Sequence, residues 1–229
     1  MLFHTLAPLA LLLLSGGSLA AAAPAASPAA GGSSPAAKII EQIMPKSASC
    51  DGAPAAGGGA DCRTAAQAAD FFVAGFQRWS VYAPAQIAAV LAVSALESDE
   101  LRYKHNVSPG RPGQGTSNMQ MIHYNLLYAR AVPELRPKAD AIAGGAAAAG
   151  ESLPADKADA VLALVTPDEY NFASGAWFLA TQCSADVRSQ LATGSDAGWA
   201  AYMGCIGVPA DDPARVKYWT AAKAAFNIS

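Results

Sequence analysis

Apolar residues recur at helical spacing along most of this chain. Ala65, Ala68, Ala69, Phe72, Val73 and Phe76 fall on one face behind Thr64, which predicts a helix N-capped by that threonine. Pro84 opens a second helix, with Ile87, Val90, Leu91, Ser94 and Leu101 along one stripe. A third is expected from about Met119 to Val132, ending before Pro133, and a short one over Glu134 to Ile142. Pro154 to Val165 follows after a Gly144 to Gly150 loop. Thr166-Pro167-Asp168-Glu169 reads as a capping box starting a helix that runs to about Cys183. Asp186 to Leu191, Asp196 to Met203 and Pro213 to Phe226 complete the series. Strand-like alternation is nearly absent, and at most a short β-hairpin fits between Tyr103 and Ser117. The expectation is a mainly α domain.

The N-terminus changes that picture only at its edge. Leu9 to Leu14 form a short apolar run, and Ser18-Leu19-Ala20 supplies small residues for cleavage, so residues 1–20 read as a signal peptide. That run is too short for a stable membrane span. Residues 21–37 hold only Ala, Pro, Ser and Gly, which predicts a disordered leader, and residues 38–229 are left as one domain. The protein is expected to be secreted, extracellular and monomeric. The first 37 residues carry no Lys, Arg, Asp or Glu, so the net charge of −3 belongs to the domain. No basic stripe follows a phosphate backbone, which argues against nucleic-acid binding.

Four cysteines in an exported chain predict two disulfides. Three pairings are open. Cys50–Cys62 with Cys183–Cys205 is favoured because each closes a short loop. Past residue 20 the histidines are His105 and His123, and Cys-x-x-Cys is absent, so neither a metal nor a cofactor is expected.

Candidate chemistry centres on Glu97. It sits at the margin of the apolar stripe, at the C-terminal end of its helix, with Asp99 and Glu100 beside it. Desolvation, the helix dipole and two like charges all favour a protonated carboxyl there, which suits a general acid. The competing reading is a solvated acidic face, with Arg102 spaced to pair with Asp99. A loop at Pro109-Gly110-Arg111-Pro112-Gly113-Gln114-Gly115 follows, its glycines permitting positive φ and its prolines narrowing the unfolded alternatives. It presents Arg111, Gln114, Thr116 and Asn118 as hydrogen-bonding groups. Tyr103 and Tyr124 flank it as aromatic platforms; His123, inside a helix, is expected at a boundary. Asp168 and Glu169 are explained by a helix start and are given no chemistry.

Ala95-Leu96-Glu97-Ser98, followed by Ser117-Asn118-Met119-Gln120-Met121, resembles the Glu-Ser and Gly-Leu-Met-Gln motifs of goose-type lysozymes and lytic transglycosylases. Ala173 to Phe178 matches the place of that family's third, Tyr-containing helix, and the likeness covers Ala83 to Phe178. Ser117-Asn118 replaces Gly-Leu, and the loop carries two prolines and Arg111, unlike the bacterial enzymes. The loop through Met119-Gln120 also resembles a group of secreted fungal proteins of unassigned activity. The lysozyme resemblance implies a lysozyme-like helical domain and a glycosidase cleaving a β-1,4-linked amino-sugar polymer, peptidoglycan or chitin-type. Glu97 would be its acid and Gln120 would line the cleft, with Tyr170 near the third motif. The alternative is a non-catalytic protein on the same scaffold that binds glycan or a protein partner through residues 109–120.

Overall fold

The computed structural model describes residues 34–53, 59–144 and 153–229. Its first helix, α1 (Pro35–Ile43), begins inside the segment read as leader. Ser34 accepts a hydrogen bond from the Ala37 amide and Pro35 takes the first helical position, while Ala37, Ile40 and Ile43 are buried. Composition alone overshoots here, because Ser-Pro-Ala-Ala is at once low-complexity sequence and helix-start chemistry. The rest of the leader and the signal segment lie outside the described residues. A 3-10 turn over Pro45–Ala48 follows.

Helix α2 (Ala65–Arg78) starts where expected, with Thr64 and Gln67 capping each other reciprocally. Helix α3 (Pro84–Glu97) is buried on nearly every side, from Ala88 through Ala95. A helix apolar all round belongs at the centre, and α3 packs against α1 and against three later helices, α8 (Ser174–Gln182), α9 (Ala185–Ala192) and α11 (Pro213–Ala225). Between them come α4 (Ile122–Ala131), α5 (Arg136–Ala143), α6 (Ala155–Val165) and α7 (Asp168–Asn171), with α10 (Asp196–Ile206) ahead of α11. The mainly α class holds. Among the described residues the expected hairpin reduces to two isolated bridges, His105 with Gly115 and Gly115 with Gln120.

Two helices differ from expectation. Leu101 lies beyond α3, which ends at Glu97. The single helix expected from Thr166 to Cys183 breaks at Phe172–Ala173 into α7 and α8, and its capping box does not form. Asp168 instead receives Arg63 Nε at 2.7 Å and the Lys104 ammonium, two cations from distant segments. Tertiary charge pairing there overrides local capping.

The core joins Phe72, Phe172, Tyr128 and Trp177, with Tyr128 and Trp177 centroids 5.0 Å apart. The Tyr128 hydroxyl donates to Tyr170 O at 2.8 Å, so this buried phenol is satisfied. Both favoured disulfides are present: Cys50–Cys62 before α2, and Cys183–Cys205 joining the end of α8 to α10.

Candidate functional site

The chain turns sharply where α3 ends. Asp99, Glu100 and Leu101 all take left-handed backbone, with φ of 49°, 60° and 69°. Such residues cost on the order of 1–2 kcal/mol each unless the surroundings hold them. Here they are held. The buried Glu100 carboxylate accepts the Tyr218 hydroxyl at 2.7 Å and the Lys46 amide at 2.6 Å. Ser98 Oγ donates to Ser94 O and accepts from the Leu101 amide. Burial, reinforced by the Glu100 bond, pushes the Tyr218 hydroxyl up from its ordinary value.

The three acids expected to crowd one another are therefore separated. Asp99 pairs with Lys46, not with Arg102, which donates to Gly52 O instead. Glu97 accepts Arg215 Nη2 of α11 at 2.7 Å, with side chains 23% and 13% exposed respectively. A carboxylate clasped by a guanidinium is an acceptor, the opposite of the proton donor that general acid catalysis needs.

Glu97 opens onto a cleft of about 400 Å³ that Arg111, Gln114, Asn118, Gln120, Tyr124 and Arg215 also line. Six of the eight candidate positions thus share one cavity; Tyr103 and Tyr170 do not. Tyr170 sits on α7 beside Glu169 and Glu134, where desolvation and the Glu169 hydrogen bond push its hydroxyl up to about 12. The loop glycines behave in part as expected: Gly110 and Gly113 take positive φ, but Thr116 and Met119 do so in place of Gly115.

Within the cleft, several polar groups are committed to scaffolding. Asn118 Oδ1 accepts Ser94 Oγ at 2.7 Å and its Nδ2 donates to Ser174 Oγ at 3.2 Å, tying α3 to α8. Gly175 makes that possible, since a Cβ there would stand 2.6 Å from Asn118 Nδ2. Gln114 accepts from Asn106 and donates to Met119 O. Asn125 Nδ2 donates to Gly113 O and Gln120 O, so its Oδ1 must accept Gln120 Nε2 at 3.1 Å. That fixes the Gln120 amide and leaves its Oε1 buried without a partner. Arg215 Nη1 is likewise buried and unpartnered. Arg111 is exposed, and among the described residues its guanidinium has no partner.

The remaining wall is apolar: Met119, Met121, Phe178, Ile206 and Val208, with Tyr124 set edge-on to Phe178 at 4.8 Å. His123 lies against the Tyr124 ring at 3.8 Å, and burial lowers its imidazole pKa. Sequence reading missed Arg215 and the α10 wall. Arg215 lies 118 residues from Glu97, and no local pattern marks it. It also missed a pair in the neighbouring loops, His105 Nδ1 with Asp61 Oδ2 at 2.6 Å.

Among the described residues no helix is long and apolar enough to cross a membrane, and no cluster of three His, Cys, Asp or Glu is placed to hold a metal. No family model matches the chain, and no solved structure matches it. Over 163 residues, 71% of the chain, it is 47% identical to a bifunctional dioxygenase–epoxy alcohol synthase of Fusarium oxysporum strain Fo5176. The chain spans 12% of that protein's length. This likeness corrects the glycosidase reading and the lysozyme-like function with it, since the relative is named for dioxygenation and epoxy alcohol synthesis, not glycan cleavage. The Glu97–Arg215 pair gives the physical reason on this chain: the expected acid is engaged as an acceptor.

Proposed function

We propose that this chain is an exported module that holds an oxygenated apolar molecule in the cleft between α3, α4, α8, α10 and α11. One observation carries the reading. The cleft sets Glu97, Arg111, Gln114, Asn118, Gln120 and Arg215 against an apolar side of Met119, Met121, Phe178, Ile206 and Val208, and two of its residues hold a buried atom with no partner, the acceptor Gln120 Oε1 and the donor Arg215 Nη1. Buried polar atoms are nearly always satisfied, so an orphan acceptor and an orphan donor among the lining residues fit a ligand bearing a hydroxyl and a second oxygen. An epoxy alcohol, the product class in the relative's name, has this chemistry on a carbon chain. The two disulfides support an oxidising, extracellular setting.

Calorimetric titration with a long-chain epoxy alcohol, and with the hydrocarbon of equal length, tests it. The epoxy alcohol binds at least tenfold more tightly, and Ile206→Asp abolishes binding of both. Equal affinity for the two probes, or no binding at all, refutes the reading.

A further inference from the structure

A second groove, of about 640 Å³, shares Arg111 and Gln114 with the cleft and is also lined by Asp61, His105, Asp159 and Thr166. Its centre is the pair His105 Nδ1–Asp61 Oδ2, 2.6 Å apart, with the imidazole 40% and the carboxylate 17% exposed. Both members are held from behind. Asp61 Oδ2 also accepts the Lys104 amide at 3.1 Å. The segment carrying Asp61 is tied by Cys62 to Cys50, and by Arg63, which donates to Ala60 O, Cys62 O and Asp168. The segment carrying His105 is fastened by Asn106 N to Gln114 O at 3.0 Å and Thr116 N to Lys104 O at 2.8 Å. Gly115 faces it so closely that a Cβ would stand 2.6 Å from Lys104 O.

A carboxylate on Nδ1 assigns the neutral ring's proton to that nitrogen and leaves Nε2 as the lone-pair acceptor. Among the described residues no Ser, Thr or Cys is bonded to this imidazole, so the nucleophile available to it is water. Asp159 is occupied in part by the Gly113 amide at 2.9 Å, whereas Arg111 is unpaired among the described residues. The groove therefore offers one oriented base and one uncommitted guanidinium.

We propose that this groove is a hydrolytic site for carboxylic esters, with His105 as general base, Asp61 as its positioning residue and Arg111 as the charge that receives the developing oxyanion. In the first step His105 Nε2 takes a proton from water as the water oxygen bonds to the acyl carbon, and the carbonyl electron pair moves onto oxygen beside Arg111. In the second, that pair re-forms the carbonyl, the ester C–O bond breaks, and the proton on Nε2 passes to the departing alkoxide. Acid and alcohol leave, and the imidazole is again neutral. A single base that later returns its proton suits an ester, whose alkoxide leaves with that one proton.

The full chain is assayed on p-nitrophenyl acetate and butyrate against free imidazole at equal concentration. The wild type exceeds imidazole at least a hundredfold, and His105→Gln removes that advantage. Asp61→Asn lowers kcat at least tenfold with little change in KM. Arg111→Gln, an exposed change that leaves packing untouched, lowers kcat/KM about tenfold. His123→Gln serves as the control and leaves the rate unchanged. A wild type no faster than imidazole overturns the proposal, as do wild-type rates in Asp61→Asn or Arg111→Gln. Ligand binding in the α3 cleft is a separate readout, so either proposal can fail while the other stands.

Discussion

The cleft at Glu97 and the groove at His105 share two wall residues, yet they spend their polar groups differently. In the cleft, Asn118 and Gln114 each use both ends of the amide to join segments, and Glu97 is matched by Arg215. What the cleft alone leaves unspent is buried, at Gln120 Oε1 and Arg215 Nη1. The groove adds an exposed imidazole edge, and the exposed Arg111 guanidinium, without a partner among the described residues, stands in the wall of both. Buried orphan atoms favour holding a molecule that replaces water, whereas an accessible base and cation favour acting on one that comes and goes. Each region also has its own covalent tie. Cys183–Cys205 secures the α8 and α10 walls of the cleft, and Cys50–Cys62 secures the segment that carries Asp61.

Those ties offer the largest test of the contrast. Cys183→Ser with Cys205→Ser opens the bridge of greater sequence separation, 22 residues against 12, and costs about 3 kcal/mol of stability in urea denaturation. It weakens epoxy alcohol binding and leaves ester hydrolysis in place. Cys50→Ser with Cys62→Ser costs slightly less and has the reverse functional effect. If both double variants lose both readouts equally, the two regions are one cooperative unit and the contrast fails.

A smaller effect comes from the ion pair. Arg215→Met leaves the half-buried Glu97 carboxylate without its partner and lowers stability by about 1–2 kcal/mol. Adding Glu97→Leu recovers most of that loss, as a urea denaturation cycle of the four proteins would show. An unrecovered loss would mean that Arg215 contributes through packing, not through Glu97. Ser94→Ala, which removes one hydrogen bond to Asn118, costs about 1 kcal/mol by the same measurement and loosens α3 from α8.

The smallest effect concerns a residue outside both cavities. The Tyr170 hydroxyl is pushed up to about 12 in the folded chain, against about 10 for an unfolded tyrosine. Above pH 10 the unfolded chain loses this proton first, so the stabilising contribution is complete below pH 10 and is lost as pH rises towards 12. Tyr170→Phe flattens that alkaline decline in a stability-versus-pH series while leaving binding at neutral pH untouched. A change in neutral-pH binding would bring Tyr170 back into the cleft.

Much of the helical framework was legible because its signals are local. Thr64, Pro84 and Pro213 each mark a helix start within one turn, and the short spacing of the cysteines favoured their pairing. The part of the cleft drawn from residues 111–124 was legible for the same reason, being one continuous stretch. Arg215 and the Asp61–His105 pair were not, because each contact is made by folding together segments that share no motif. The α7–α8 break was hidden by a sequence that satisfies the rules of a capping box. Arg63 and Lys104, distant in sequence, claim the Asp168 side chain instead.

Arg111 and Gln114 stand in the wall of both cavities, and this makes the two proposed occupants thermodynamic correspondents. A ligand in the α3 cleft that redirects the Arg111 guanidinium changes ester affinity in the groove by some factor. The ester must then change the first ligand's affinity by the same factor, whichever arrives first. The long side chain at position 111 would thus be a point through which one cavity registers the contents of the other.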